Sequence, residues 1–257
     1  MEQSRALARG MLRYDLIAWW ATDALLEDGF DAERLRGWLV TPGAASEGDA
    51  RMLGELPSGE IGVVASVRCD VAVGPTSCTV KAGFEPRALD EEESIMMRAL
   101  ATAGSDPFFQ RRQARYNTIV LRGAEHGVDD SPWIVYIVAA TTDAHEIPVG
   151  LHYRFDLSRD GSKVLRRRAS HRGVMVLRLD AGPDGAEVEM LMTTAIYDRE
   201  PSEFQIYVSG LWGVALGLAG CDGSLWSVRG MEVAQLDPPA RKDGCVDPWR
   251  EKPGFGQ

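Results

Sequence analysis

Three polar residues at alternate positions, His152, Arg154 and Asp156, carry the strongest chemical signal in the chain. On an extended strand they share one face, while Leu151, Tyr153, Phe155 and Leu157 point to the core. An imidazole, a guanidinium and a carboxylate side by side suit an acidic ligand, or a general base beside an anion-stabilising group. Near the N-terminus, Asp15, Trp19, Thr22 and Asp23 fall on adjoining turns of an otherwise apolar helix. If that helix crosses the polar sheet face, Asp15 or Asp23 can pair with Arg154. The same residues also fit a purely structural role, a buried ion pair that orients helix against sheet. A second cluster is basic: Lys163, Arg166, Arg167, Arg168 and Arg172, with Arg111, Arg112 and Arg115 as a further group. Of these, Arg166, Arg168 and Arg172 form a candidate patch for an anion or an acidic partner, since arginine forks hold carboxylates. A solvated edge strand that uses charge to avoid aggregation has the same composition, and is the simpler account.

Other chemistries fail on spacing. His145-Glu146 opens like a zinc-protease helix, but position 149 is Val and Pro148 breaks the helix. The run 156–161 imitates the start of a calcium loop, yet its twelfth position is Arg167 where a bidentate Glu is needed, so a basic hairpin is the better explanation. Gly213, Gly217 and Gly220 lack the spacing and the Lys of a phosphate loop, and the chain has no nucleophile elbow or dinucleotide fingerprint. Cys69 lies on an apolar strand face, and Cys221 has no His partner to activate it. Cys69 and Cys78 flank a hairpin, but a turn centred on Gly74-Pro75 pairs Val71 with Cys78, so a bridge stays open. Nothing in the sequence requires a metal or an organic cofactor.

The elements that must position these groups follow from periodicity. Residues 4–27 predict a buried helix, with Leu7, Met11, Tyr14, Ala18, Ala21 and Leu25 on one face and Leu12, Leu16, Trp19 and Leu26 widening it. Residues 34–40 fit either a short helix or a strand, and 41–48 a loop. Period-two alternation from Ile61 to Val71 predicts a strand that returns through Cys78 and Val80. Asp90 and Glu93 form a capping box for a second helix that ends near Gly104. After Asp106-Pro107 the pattern turns to strands at 117–122, 132–140, 149–157, 163–169, 173–180, 187–195, 203–211 and 224–229. The strand at 203–211 would show Glu203, Gln205, Tyr207 and Ser209 to solvent. Asp160-Gly161, Asp184-Gly185 and Asp222-Gly223 supply hairpin turns and argue for an antiparallel meander. The expected fold is α+β: one domain, 1–236, with two helices on a mostly antiparallel, curved sheet, and a flexible tail at 237–257.

Composition narrows the partners. The chain has 257 residues, 45% of them hydrophobic, and a net charge of -10. That charge argues against nucleic acid or an anionic membrane as a partner. The longest apolar run, 206–219, is too short to span a bilayer. Four cysteines without a CxxC pair are too few for a disulfide-dense scaffold. A soluble, cytoplasmic protein is therefore expected, or an exported one if a leader has been removed.

Several runs spread over residues 14–230 resemble a group of uncharacterised bacterial proteins. They are Tyr14-Asp15, Trp19, 22–25 and 117–121, then Gly150, 152–154 and Asp156, then Glu203, Tyr207, 225–226, Val228 and Gly230. The resemblance implies a single domain and no particular activity. Many members look exported. Members commonly carry a cysteine before the Asn-Thr run and another after the basic strand; here those places read Arg112-Gln113 and Ser170-His171. Three functions remain in competition. The leading one is a non-catalytic binding or interaction protein for a small molecule or a protein. The second is a hydrolase or isomerase with His152 as base and Arg154 stabilising an anion. The third is a protein whose acidic partner docks on the hairpin 163–172. The oligomeric state is not legible.

Overall fold

The computed structural model describes residues 1–43, 46–111, 114–143, 145–171, 175–179, 189–195, 198–238 and 245. The chain opens with α1 (Glu2–Glu27), whose predicted stripe is buried from Leu7 to Leu25. Trp19 and Leu26 lie outside that stripe and are exposed. The segment 34–40, for which the sequence fits either a helix or a strand, is strand from Leu35 on: β1 (Leu35–Pro42) pairs antiparallel with β2 (Glu47–Glu55), and β2 with β3 (Ile61–Asp70). Much of the expected loop 41–48 thus belongs to these strands. Two short strands, β4 (Thr79–Val80) and β5 (Arg87–Ala88), both pair with β3.

The β3–β4 register sets Val67 against Val80, which carries Cys69 to Cys78, and the two form a disulfide. A wider turn through a 3-10 segment at Pro75–Ser77, rather than a tight one at Gly74-Pro75, moves the pairing by two residues.

Next comes α2 (Glu91–Ser105), with the expected capping box of Asp90 and Glu93. Then β6 (Arg115–Arg122), β7 (Trp133–Ala140), β9 (Tyr153–Leu157) and β10 (Val164–Ala169) make a second sheet in the order β10-β9-β7-β6; β8 (Glu146–Pro148) pairs instead with β11 (Val176–Arg178). The Asp160-Gly161 turn joins β9 to β10 as predicted. Gly161 has φ +73°, and a Cβ there would stand 2.7 Å from the Ile95 carbonyl of α2. Only glycine fits both demands.

The last region departs most from expectation. β12 (Leu191–Thr194) runs parallel to β13 (Ala215–Ala219), and the antiparallel meander resumes only with β14 (Leu225–Arg229) and β15 (Glu232–Asp237). Between β12 and β13 lies α3 (Glu203–Trp212), where a strand was expected. A capping box of Ser202 and Gln205 starts this helix, and Gly213, in the left-handed conformation, ends it. β15 reaches into the expected tail, and Cys221 forms a disulfide with Cys245. The Asp184-Gly185 turn lies outside the described residues. The fold is α+β with mostly antiparallel sheets.

The second sheet is a middle layer. Ile119, Leu121, Ile134, Tyr136 and Val138 face the core shared with α1 and α3, while Val120, Val135, Ile137, Phe155 and Leu157 face the core under α2. Every residue of β9 is buried. The alternation of polar and apolar residues on β9 therefore separates two interiors, not core from solvent.

Candidate functional site

The polar face of β9 is sealed by α3. Antiparallel register places Arg154 opposite Tyr136 and Arg168, and Asp156 opposite Ile134 and Arg166. Arg154 grips Asp156 with two hydrogen bonds, Nε to Oδ1 at 2.6 Å and Nη2 to Oδ2 at 3.1 Å, and reaches Glu203 Oε1 at 3.0 Å through Nη1. Arg166 Nε donates to Asp156 Oδ2 at 2.9 Å, and its Nη2 to Ser131 Oγ at 2.7 Å. Arg168 pairs with Asp198 and lies 3.8 Å from Glu203. Burial pushes the Glu203 carboxyl up, but Arg168 and Arg154 more than offset it and hold the group below the usual carboxylate range. Such a network fixes α3 on the sheet and has its charges matched within the fold. Arg167, on the opposite face, grips Asp106. The basic hairpin is therefore not a bare cationic patch: Arg166 and Arg168 are both internally paired, and Arg172 lies outside the described residues.

His152 stands just before β9, where Leu151 adopts φ 62°, a conformation unfavourable for a branched side chain. That twist ends the strand at Tyr153, short of the expected start at 149, and turns the imidazole onto α3. The ring stacks on Phe204 at 6.0 Å and meets Tyr207 edge-on. Nδ1 accepts from the Ala139 amide at 3.1 Å, and Nε2 donates to the Pro148 carbonyl at 2.9 Å. Burial pushes its pKa down to about 4. The imidazole is neutral, with both nitrogens holding backbone groups.

A cavity of about 290 Å³ opens beside it, between α1, α3 and the adjacent ends of β6 and β7. Its lining includes Asp15, Trp19, Asn117, His152, Tyr207 and Trp212, with Arg115 exposed at the mouth. Asp15 is buried and accepts from Asn117 Nδ2 at 3.1 Å and from the Tyr207 hydroxyl at 2.7 Å. Burial raises its pKa, with the two hydrogen bonds opposing. Among the described residues no cation pairs with it. One turn later on α1, Trp19 is 55% exposed and stands at the rim.

The structure thus divides the predicted site. Asp15, Trp19 and His152 converge on the cavity. Arg154 and Asp156 lie in the sealed ion network, and neither Asp15 nor Asp23 pairs with Arg154. Asp23 is exposed and is not among the cavity's lining residues. Asn117, Tyr207 and Trp212 complete the cavity; Tyr207 and Trp212 were hidden by taking α3 for a strand. The signal that finds them is Ser202-x-x-Gln205 followed by Gly213, which brackets a helix of three turns.

These features define an α+β protein with a small, aromatic-lined cavity over a buried carboxyl. No protein-family model, curated protein or solved structure matches the chain.

Proposed function

We propose that this is a non-catalytic binding protein whose site for a small molecule is the cavity between α1, α3 and the β6–β7 edge. The observation that carries it is Asp15: a buried carboxyl without a counter-charge among the described residues, at an opening lined largely by apolar and aromatic groups. Such a group costs stability, and a cost of this kind is commonly kept where function uses the group. The cavity volume, about 290 Å³, lies just below the roughly 300–1,000 Å³ range of ligand sites, so a small ligand is the one that fits. A hydrolase or isomerase using His152 ranks below this, because both ring nitrogens are occupied and burial keeps the ring from taking a proton near neutral pH. A partner drawn to the basic hairpin also ranks below it, because the arginines answer their own carboxylates.

Pairing of all four cysteines favours an oxidising compartment, since structural disulfides are rare in a reducing cytosol. That fits the exported alternative and the bacterial group the chain resembles, many of whose members look exported. A metabolite screen by thermal shift tests the cavity. A genuine ligand raises the Tm of the native chain and leaves Ala140→Phe, which fills the cavity, unmoved. A shift that survives in Ala140→Phe places binding elsewhere.

A further inference from the structure

We infer that the cavity takes a small organic cation, an amine on an apolar or aromatic body, with its ammonium against Asp15. The inference rests on the binding function proposed above and names the ligand's chemistry. Each oxygen of Asp15 accepts one protein hydrogen bond, whereas a carboxylate offers about four lone-pair sites. Both oxygens therefore keep acceptor capacity for a further donor. The two protein donors, an amide and a phenol, are neutral. They orient the carboxyl and supply no counter-charge, which a bound ammonium would.

The walls match the rest of such a ligand. Trp19 and Trp212 line the cavity, and indole is the best aromatic partner of a cation. Val208, Leu211 and Pro148 supply apolar wall for a hydrocarbon body. Arg115 stands at the exposed mouth, and among the described residues it makes no ion pair with Asp15. The chain's net charge of -10 draws cations toward it and repels anions. An anionic ligand would place like charges together at the cavity floor. A neutral one would bring no counter-charge to Asp15.

The test uses three probes of one shape on the full chain: 2-phenylethylamine, 2-phenylethanol and 3-phenylpropanoate, titrated by calorimetry and tryptophan fluorescence. The amine is expected to bind at least about tenfold more tightly than the alcohol, and the propanoate least. Asp15→Asn should erase the amine's advantage, and Trp19→Ala, at an exposed position, should weaken it without unfolding the protein. Equal or tighter binding of the alcohol or the propanoate, weakened by Trp19→Ala, overturns the cation and leaves the cavity as the site. An amine preference that persists in Asp15→Asn also overturns the assignment. No binding of any probe at millimolar concentration overturns both the cation and the cavity.

Discussion

Replacing Arg154 with Met gives the sharpest test of how the candidate site is held. The guanidinium bridges Asp156 and Glu203, whose side chains are 0% and 2% exposed. Met fills similar volume but leaves both carboxylates short of a cation; Arg166 still reaches Asp156, and Arg168 stands 3.8 Å from Glu203. Removing one partner from a buried pair typically destabilises by about 3–5 kcal/mol. For a chain of this size each kcal/mol lowers Tm by roughly 2–4 °C, so a fall of about 6–20 °C is expected. Thermal and urea unfolding at pH 7 measure it. Acid provides a second reading. Glu203 is held below its ordinary pKa, so in the native chain its share of stability is complete above the unfolded value, near 4.3, and is lost as pH falls through the folded value. Part of that share comes from Arg154, so the gap between native chain and variant should narrow below about pH 4. A Tm change under about 2 °C at pH 7, or a gap that widens on acidification, refutes the buried network.

Further outcomes follow from the same geometry. His152 titrates at about 4 in the fold and near 6.5 when unfolded, so its stabilisation is complete above about pH 6.5 and is lost as pH falls toward 4, on the order of 3 kcal/mol; His152→Gln should flatten that part of the stability–pH curve. Asp15 has the opposite sign: its raised pKa gives stability that is lost as pH rises through the folded value. Asp15→Asn should therefore raise Tm at pH 7 while the amine's advantage over the alcohol disappears, and a lowered Tm would make Asp15 structural. The double replacement of Cys69 and Cys78 by Ala opens a loop whose ends are 9 residues apart, and should lower stability by about 2–3 kcal/mol. Thiol titration of the unreduced, denatured chain should find no free cysteine; four would overturn the oxidising compartment. Gly161→Ala, strained in φ and against the Ile95 carbonyl, should destabilise by about 1–3 kcal/mol in chemical unfolding.

Local signals carried much of the fold. The stripe of α1, the capping box of α2, the β3 alternation and two Asp-Gly turns are all decided within a few residues, and each stands where its pattern put it. The misreadings arise where tertiary contacts decide. Residues 203–211 alternate polar and apolar like a strand, but α3 is buried on nearly every side, with Glu203 in an ion network and Ser209 bonded to the Val214 carbonyl. Burial of polar groups erased the 3.6-residue period, and the capping residues alone kept the helical signal. The same cause hid the sealed face of β9, because His152, Arg154 and Asp156 look solvent-facing until a helix lies over them. The Cys69–Cys78 bridge depended on two residues of turn geometry, below what a Gly-Pro pair specifies. Asp15 and Trp19 were legible because polar and exposed groups on a buried helix contradict the surrounding pattern.

The way α1 is anchored also shapes how the chain reaches its fold. Asp15 is bonded to Tyr207, 192 positions later, and Arg5 reaches the Val233 carbonyl across 228. The helix stripe from Leu7 to Leu25 is covered by β2 and β3, by β6 and by α3 together. During synthesis this segment precedes nearly everything that shields it. Loop closure over such distances must come before its contacts help, which makes folding slow and leaves an apolar helix uncovered meanwhile. A nascent chain stopped before residue 207 lacks the hydroxyl and the helix that complete the pocket. The cavity is accordingly among the last parts to form, and its presence reports completion of the whole fold.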